Sequence, residues 1–377
     1  MFEDLMPKTL NAIRALFLRR VSMESDRIPC ESTHVPLRKI LNWIMVEASV
    51  YFKPQRPWGL PTHLQVEPSA QCNLKCAFCP VTTGLDRPTG QMAFETFTKA
   101  IDQMGDYLFL ILLWDWGEPF LNPRVYDMIS YAKQRRIKVV SSTNGHVFAQ
   151  KDHAERLVRS GIDTLVLAVD GISQETYERY RGNGNLKTVL TAIERILAAK
   201  RALNSRTPLL NLRFLPMKHN EHEIPLLRDF ARSLGVDALT LKTLNPYEQG
   251  ECHSTKASGT EFVPQNPQYQ RFEYDETGFR IRLERNPCKR PWNNPVLRWD
   301  GKISPCSFDP HNHYVMGDLM RQSFREIWFG DAFSQLRRQF RQDYRQIGLC
   351  AGCSYAFKGG CCGNETIAEA HYFKVPE

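Results

Sequence analysis

Leu64-Gln65-Val66-Glu67-Pro68-Ser69-Ala70-Gln71-Cys72-Asn73-Leu74-Lys75-Cys76-Ala77-Phe78-Cys79-Pro80 runs from a short apolar strand straight into a loop that carries three cysteines. Proline and serine after an apolar run mark the end of a strand. The thiols therefore stand just beyond a strand's carboxyl end, the edge at which parallel α/β sheets bind their ligands. Three thiolates this close together hold three irons of a cubane and leave the fourth to a non-protein ligand, whereas an electron carrier caps all four irons with cysteine. Zinc ribbons instead use paired C-x2-C knuckles that supply four ligands.

Working outward from that loop, Leu64 to Val66, Leu108 to Trp114, Lys138 to Ser142, Thr164 to Asp170, Leu209 to Leu215 and Ala238 to Thr243 read as strands. Helical patterns at Glu95 to Gln103, Val125 to Arg135 and Leu186 to Arg201 lie between them. Repeated βα units give a parallel sheet, and this number of strands suits a curved, open barrel. Residues 1–57 read as a helical lead-in, with Leu37, Ile40, Leu41 and Ile44 on one stripe beside basic residues. That stripe is expected to pack on its own protein rather than on a membrane. Residues 58–245 form the barrel. Residues 246–285, rich in Pro, Gly and polar side chains, form a linker or an excursion over the active-site mouth, and a cysteine-bearing module fills residues 286–377.

The composition narrows the function. Hydrophobic residues at 42% and charged residues at 24% of 377 are too many for a disordered chain, and no run is long and apolar enough for an integral membrane protein. A net charge of +8 is too dispersed to argue for nucleic acid and favours an acidic partner. Eleven cysteines, an odd number, with no secretory signal at Met1 to Val21, argue for reduced thiolates in the cytoplasm rather than for a disulfide framework.

The C-x3-C-x2-C loop, with Phe78 before its last cysteine, resembles the radical S-adenosylmethionine superfamily. The resemblance covers residues 60–245 and implies a partial (β/α)6 TIM-like barrel. It also implies that Cys72, Cys76 and Cys79 bind a [4Fe-4S] cluster whose open iron chelates S-adenosylmethionine, with Phe78 counted among the cofactor-binding residues. Reductive cleavage of that cofactor gives a 5'-deoxyadenosyl radical, which abstracts hydrogen from a substrate. An external donor such as flavodoxin or ferredoxin supplies the electron. Trp116-Gly117-Glu118-Pro119 is similar to the family's Gly-Gly-Glu segment, with Trp116 where the first glycine is usual. By the same likeness Gly117 lets the backbone approach the cofactor and Glu118 accepts from its ammonium group. Ser142-Thr143-Asn144-Gly145 resembles the segment whose Ser142 hydroxyl and Asn144 amide meet the ribose and methionine moieties, although a plain strand-ending turn has the same composition. In Leu167 to Gly171, Ala168 replaces a usual serine, and Arg181 either faces the cofactor carboxylate or makes a surface salt bridge.

A second set, Cys288, Cys306, Cys350 and Cys353, supplies four thiolates, which suits a closed cubane or tetrahedral zinc. The order of a cysteine, a Gly-x4-Cys and a C-x2-C looks like the twitch domain, the shortened SPASM module, and implies one auxiliary [4Fe-4S] cluster. Cys361 and Cys362 lack the spacing for another cluster and read as structural thiols or hydrogen-atom donors; Cys30 has no assignment. Arg337, Arg341 and Arg345 read as a solvated basic face, with anion binding as the alternative.

The resulting expectation is a radical enzyme with two clusters that oxidises a small polar, carbohydrate-like substrate. Epimerisation and peptide maturation are the alternatives within the enzyme class, and an iron-sulfur electron carrier lies outside it. Oxidation needs a base, for which Asp309 is the carboxylate tied most closely in sequence to Cys306, with a turn-forming role as the other reading. Epimerisation needs a hydrogen donor, for which Cys252, Cys361 and Cys362 are available.

Overall fold

The computed structural model describes residues 5–246, 260–277, 279–360 and 363–374. Six strands follow one another in parallel: β3 (His63–Val66), β4 (Leu110–Leu112), β5 (Lys138–Thr143), β6 (Thr164–Ala168), β7 (Leu209–Phe214) and β8 (Ala238–Lys242). They are the six expected runs, with β3 and β5 one residue longer and the other four trimmed at their ends. The intervening helices Phe94–Met104, Val125–Gln134 and Leu186–Ala202 fall where the apolar periodicity puts them.

Alternation along each strand sorts the residues. Leu64, Ile111, Val139, Leu165, Leu212 and Leu239 enter the large core beneath the helices. Their neighbours Gln65, Leu112, Ser142, Ala168, Arg213 and Lys242 consequently point to the opposite, inner face. This inner face is polar toward the carboxyl ends and apolar below, where Leu110, Val140 and Val166 cluster.

The lead-in is not simply helical. Between the helices Leu5–Leu18 and Leu37–Phe52 lies a hairpin of β1 (Val21–Ser25) and β2 (Ile28–Ser32), turning through Asp26 and Arg27, both at positive φ. Ile28 and Cys30 plug the apolar inner floor, and Asp26 enters the polar part. Its carboxylate accepts from Arg213 Nη1 at 2.6 Å and Lys242 Nζ at 2.9 Å. Burial alone would raise its pKa, but Lys242 and Arg213 outweigh burial and hold it far below the usual carboxylate range. The signal was present in sequence: Val21, Met23, Ile28 and Cys30 alternate with polar residues around Asp-Arg.

The C-terminal segment closes both flanks of the sheet. β9 (Val296–Leu297) adds in parallel to β3 and continues into β10 (Lys302–Ser304) and β11 (Gly317–Asp318), while β12 (Ile367–Tyr372) pairs antiparallel with β8. Covering β3 and β8 removes two exposed barrel edges. Arg337, expected on a solvated face, is wholly buried and donates to the carbonyls of Pro291 and Trp328 at 2.8 Å each.

Candidate functional site

The three-cysteine loop leaves β3 and is strapped down by the segment after the helix Gln174–Arg181. Ala77 N donates to Tyr180 O at 2.9 Å, Lys75 N to Asn183 Oδ1 at 2.9 Å, and Asn183 Nδ2 to Asn73 O at 3.1 Å. Gly182 must be glycine, because a Cβ there would lie 2.1 Å from Lys75 O. Donors reach all three sulfurs: Leu74 N at 3.4 Å and Asn144 Nδ2 at 3.9 Å on Cys72, Arg181 Nη1 at 3.8 Å on Cys76, and the backbone N–H groups of Val81 and Thr82 on Cys79. Burial pushes the Cys72 thiol up to about 11 and also raises Cys79. Such thiols keep their protons until a metal replaces them.

Arg181 makes no surface bridge. Its Nε donates to the wholly buried Asp170 at 2.5 Å, so a held guanidinium stands beside the cysteine loop. Asp170 Oδ1 also accepts from Leu215 N at 2.8 Å, tying the ends of β6 and β7 to this charge. Asp170, Asn73 and Asn183 were not singled out from sequence, since their roles come from contacts across the barrel mouth. Phe78, at φ 45°, packs its ring 5.5 Å from both Tyr180 and Phe262. The excursion after the barrel thus returns to the loop at Phe262.

Trp116-Gly117-Glu118 follows β4. Gly117 sits at φ 123°, and a Cβ on it would meet Ser69 O at 2.2 Å, so the backbone passes hard against the stretch leading to Cys72. Glu118 N donates to Gln71 O at 2.8 Å. The Glu118 carboxylate is already engaged by Thr143 Oγ1 at 2.8 Å, Asn144 N at 2.8 Å and Phe120 N at 3.2 Å, and is only 3% exposed. Burial raises its pKa while these donors oppose the rise. This geometry makes Glu118 a clamp between the ends of β4 and β5 rather than an acceptor held open for an ammonium group. Ser142 faces the barrel interior, and Asn144 Nδ2 also donates to Asn73 Oδ1 at 2.8 Å.

Trp116 has its own task. Its Nε1 donates to Ser307 O at 2.7 Å, the residue after Cys306. Arg298, wholly buried, pairs with Asp115, lies 3.5 Å from Glu67 Oε1, and donates from Nη2 to Asp309 O at 2.6 Å. Burial pushes Asp115 up to about 7 against the pull of Arg298. Arg87 Nε donates to Pro310 O at 2.5 Å and Arg298 Nη2 also reaches Cys306 O at 3.4 Å, so Trp116, Arg87 and Arg298 together fasten the Cys306 loop to the barrel mouth.

Cys288, Cys306, Cys350 and Cys353 line one pocket walled by Leu336, Phe340, Leu349 and Tyr355. Burial and the other three thiols raise Cys350 well above the usual thiol range. Asp309 is 4% exposed, and its oxygens accept from His313 N at 2.9 Å and Tyr314 N at 2.8 Å. That corrects its expected use as a base: it staples the turn after Cys306. Cys252, Cys361 and Cys362 lie outside the described residues.

Among the described residues, no three His, Cys, Asp or Glu side chains converge as a single metal ion requires. Zinc holds every sulfur about 2.3 Å from one centre, whereas a cubane carries each on a different iron. Thiols spaced around a pocket fit the cluster better than the ion.

The radical SAM superfamily model matches residues 66–212, and an iron-sulfur cluster-binding domain model matches residues 288–354. The chain thus carries a radical SAM domain followed by an iron-sulfur cluster-binding domain. As a radical SAM enzyme with this C-terminal module it takes S-adenosylmethionine, a [4Fe-4S] cluster that binds it, and an auxiliary cluster. Among curated relatives it is 24% identical over 339 residues to an AdoMet-dependent heme synthase of Methanosarcina barkeri, covering 82% of this chain and 93% of that protein. It is 24% identical over 322 residues to a mycofactocin maturase of Mycobacterium ulcerans, covering 80% and 83%. Its fold is similar to SuiB of Streptococcus suis bound to S-adenosylmethionine, with a TM-score of 0.58, 16% identity, and coverage of 85% of this chain and 78% of that one.

Proposed function

We propose that this radical SAM enzyme is an oxidoreductase that removes hydrogen from a small polar, carbohydrate-like substrate. The observation that carries the reading is the fastening of the Cys306 loop to the barrel mouth by Trp116 and Arg298, which puts the auxiliary site beside the space above the inner strands. When bound, S-adenosylmethionine and the first cluster supply hydrogen-atom abstraction, and the auxiliary cluster supplies a one-electron acceptor. The chain contributes Ser142, placed on the inner face of β5 by strand alternation to meet a hydroxyl group, while Arg213 and Lys242 are held by Asp26 and Gln65 is held by Trp114, Asp115 and Arg290. Thiolate ligands need reduced cysteines, which supports a cytoplasmic enzyme served by flavodoxin or ferredoxin.

A second reading, radical modification of a peptide, is supported by the relative named as a mycofactocin maturase. Epimerisation would need a thiol hydrogen donor such as Cys252.

Anaerobically reconstituted protein, given dithionite and S-adenosylmethionine, should release 5'-deoxyadenosine and contain about eight irons, four for each cubane. Changing Cys72, Cys76 and Cys79 together to Ala should abolish the release and leave about four irons. Cleavage that survives would overturn the assignment of the reactive cluster. With a turned-over substrate, carbon-bound deuterium from heavy water and inverted stereochemistry would sink the oxidation reading, whereas a carbonyl product without deuterium supports it.

A further inference from the structure

Lys53 follows the helix Leu37–Phe52 as its C-cap, in the left-handed conformation at φ 48° and ψ 51°. That conformation turns the chain, and the N-terminal helix meets the C-terminal cysteine pocket there. Val46 and Val50 pack in the same apolar cluster as Cys288, Trp292 and Phe340, and Trp292 Nε1 donates to Pro54 O at 2.8 Å. The Lys53 ammonium donates to Asn286 O at 3.0 Å and lies 5.6 Å from the ring centre of Trp292 and 5.2 Å from that of Phe340. Burial lowers its pKa, and the charge on Cys288 opposes that. Asn286 completes the link: its Nδ2 reaches Cys353 Sγ at 3.9 Å and its Oδ1 accepts from Cys288 N at 2.9 Å. Asn286 and Phe340 line the four-thiolate pocket beside Arg290, so the Lys53 cation stands directly behind that wall, against two aromatic faces and held by the residue that touches two of the ligands.

We propose that Lys53 sets the reduction potential of the auxiliary cluster, raising it so that the cluster is a better electron acceptor. Reduction adds one negative charge to a four-thiolate cubane. A fixed positive charge nearby in a low-dielectric wall stabilises the reduced form more than the oxidised one. The inference rests on the four cysteines holding their cluster and not on which substrate is oxidised. Lys53 is thereby a tuning residue that acts through the cluster.

The test is anaerobic redox titration of the whole two-cluster protein, followed by EPR, with iron counted in each sample. Lys53→Met should lower the auxiliary midpoint potential and leave that of the S-adenosylmethionine-binding cluster in place, while Lys53→Arg should stay close to the parent. An auxiliary potential unchanged in Lys53→Met at full iron content overturns the proposal, as does an equal shift of both clusters. If Lys53→Met loses the auxiliary irons, Lys53→Gln, which keeps a donor for the Asn286 carbonyl, decides by the same titration. Loss of those irons from both neutral variants, with Lys53→Arg intact, would make Lys53 a clamp and likewise overturn the tuning role.

Discussion

His63, at the start of β3, shows how one half-buried side chain couples the barrel to pH. Burial, and then the nearby Arg290, lower its pKa to about 4, against about 6.5 in an unfolded chain. The folded state thus favours neutral imidazole, and the unfolded state binds the extra proton between these values. Stability from this group is complete above about pH 6.5 and is lost as the pH falls toward 4. Replacing His63 with Gln should therefore flatten the fall in thermal midpoint between pH 7 and 5. Parallel curves for parent and variant would show that His63 does not carry the effect. At the same scale, Trp116 departs from the family's glycine because its indole serves the C-terminal loop, and Asp309 turns from expected base to turn staple because both its oxygens are taken.

Among the elements, the N-terminal hairpin is the one whose role depends most on its tip. Asp26 is the partner of Arg213 and Lys242 inside the barrel. Removing one member of a buried ion pair leaves an uncompensated charge and costs about 3–5 kcal/mol. Lys242 is a quarter exposed, which places Asp26→Ala near ~3 kcal/mol, the low end of that range. The urea midpoint should drop accordingly at neutral pH. A midpoint within error of the parent would mean that the hairpin tip sits in water. Because the hairpin plugs the inner floor with Ile28 and Cys30, the same variant should also expose the Cys30 thiol to alkylation.

For the whole molecule, the barrel and the cysteine module share a sheet, with β9 beside β3 and β12 beside β8. The fine connection at the active edge includes the bonds from Trp116, Arg87 and Arg298 to the loop of Cys306. Trp116→Gly restores the usual family residue while deleting the indole bond. It should retain S-adenosylmethionine cleavage but speed the stripping of auxiliary iron by a chelator, followed by loss of visible absorbance. An unchanged stripping rate would deny Trp116 a part in holding that loop, and loss of cleavage would show that it also shapes the reactive site.

Local patterns settle what depends on neighbours in the chain. Apolar runs and the periodic helices between them marked the six parallel strands, and the cysteine spacings marked both cluster sites, because a run of residues carries its own periodicity and a loop carries its own ligands. The hairpin belonged to this legible part, since its alternation and Asp-Arg turn are local. Tertiary structure alone decided the partners. Glu118 became a clamp because Thr143 and Asn144 come from the next strand, Arg181 met Asp170 and Cys76 across the barrel mouth, and Arg337 went inward onto Trp328 and Pro291. Lys53 reached the auxiliary pocket across 233 residues of chain to Asn286. A charged side chain has the same sequence signature on a surface as beside a cluster; burial and the groups that surround it in three dimensions give it its chemistry.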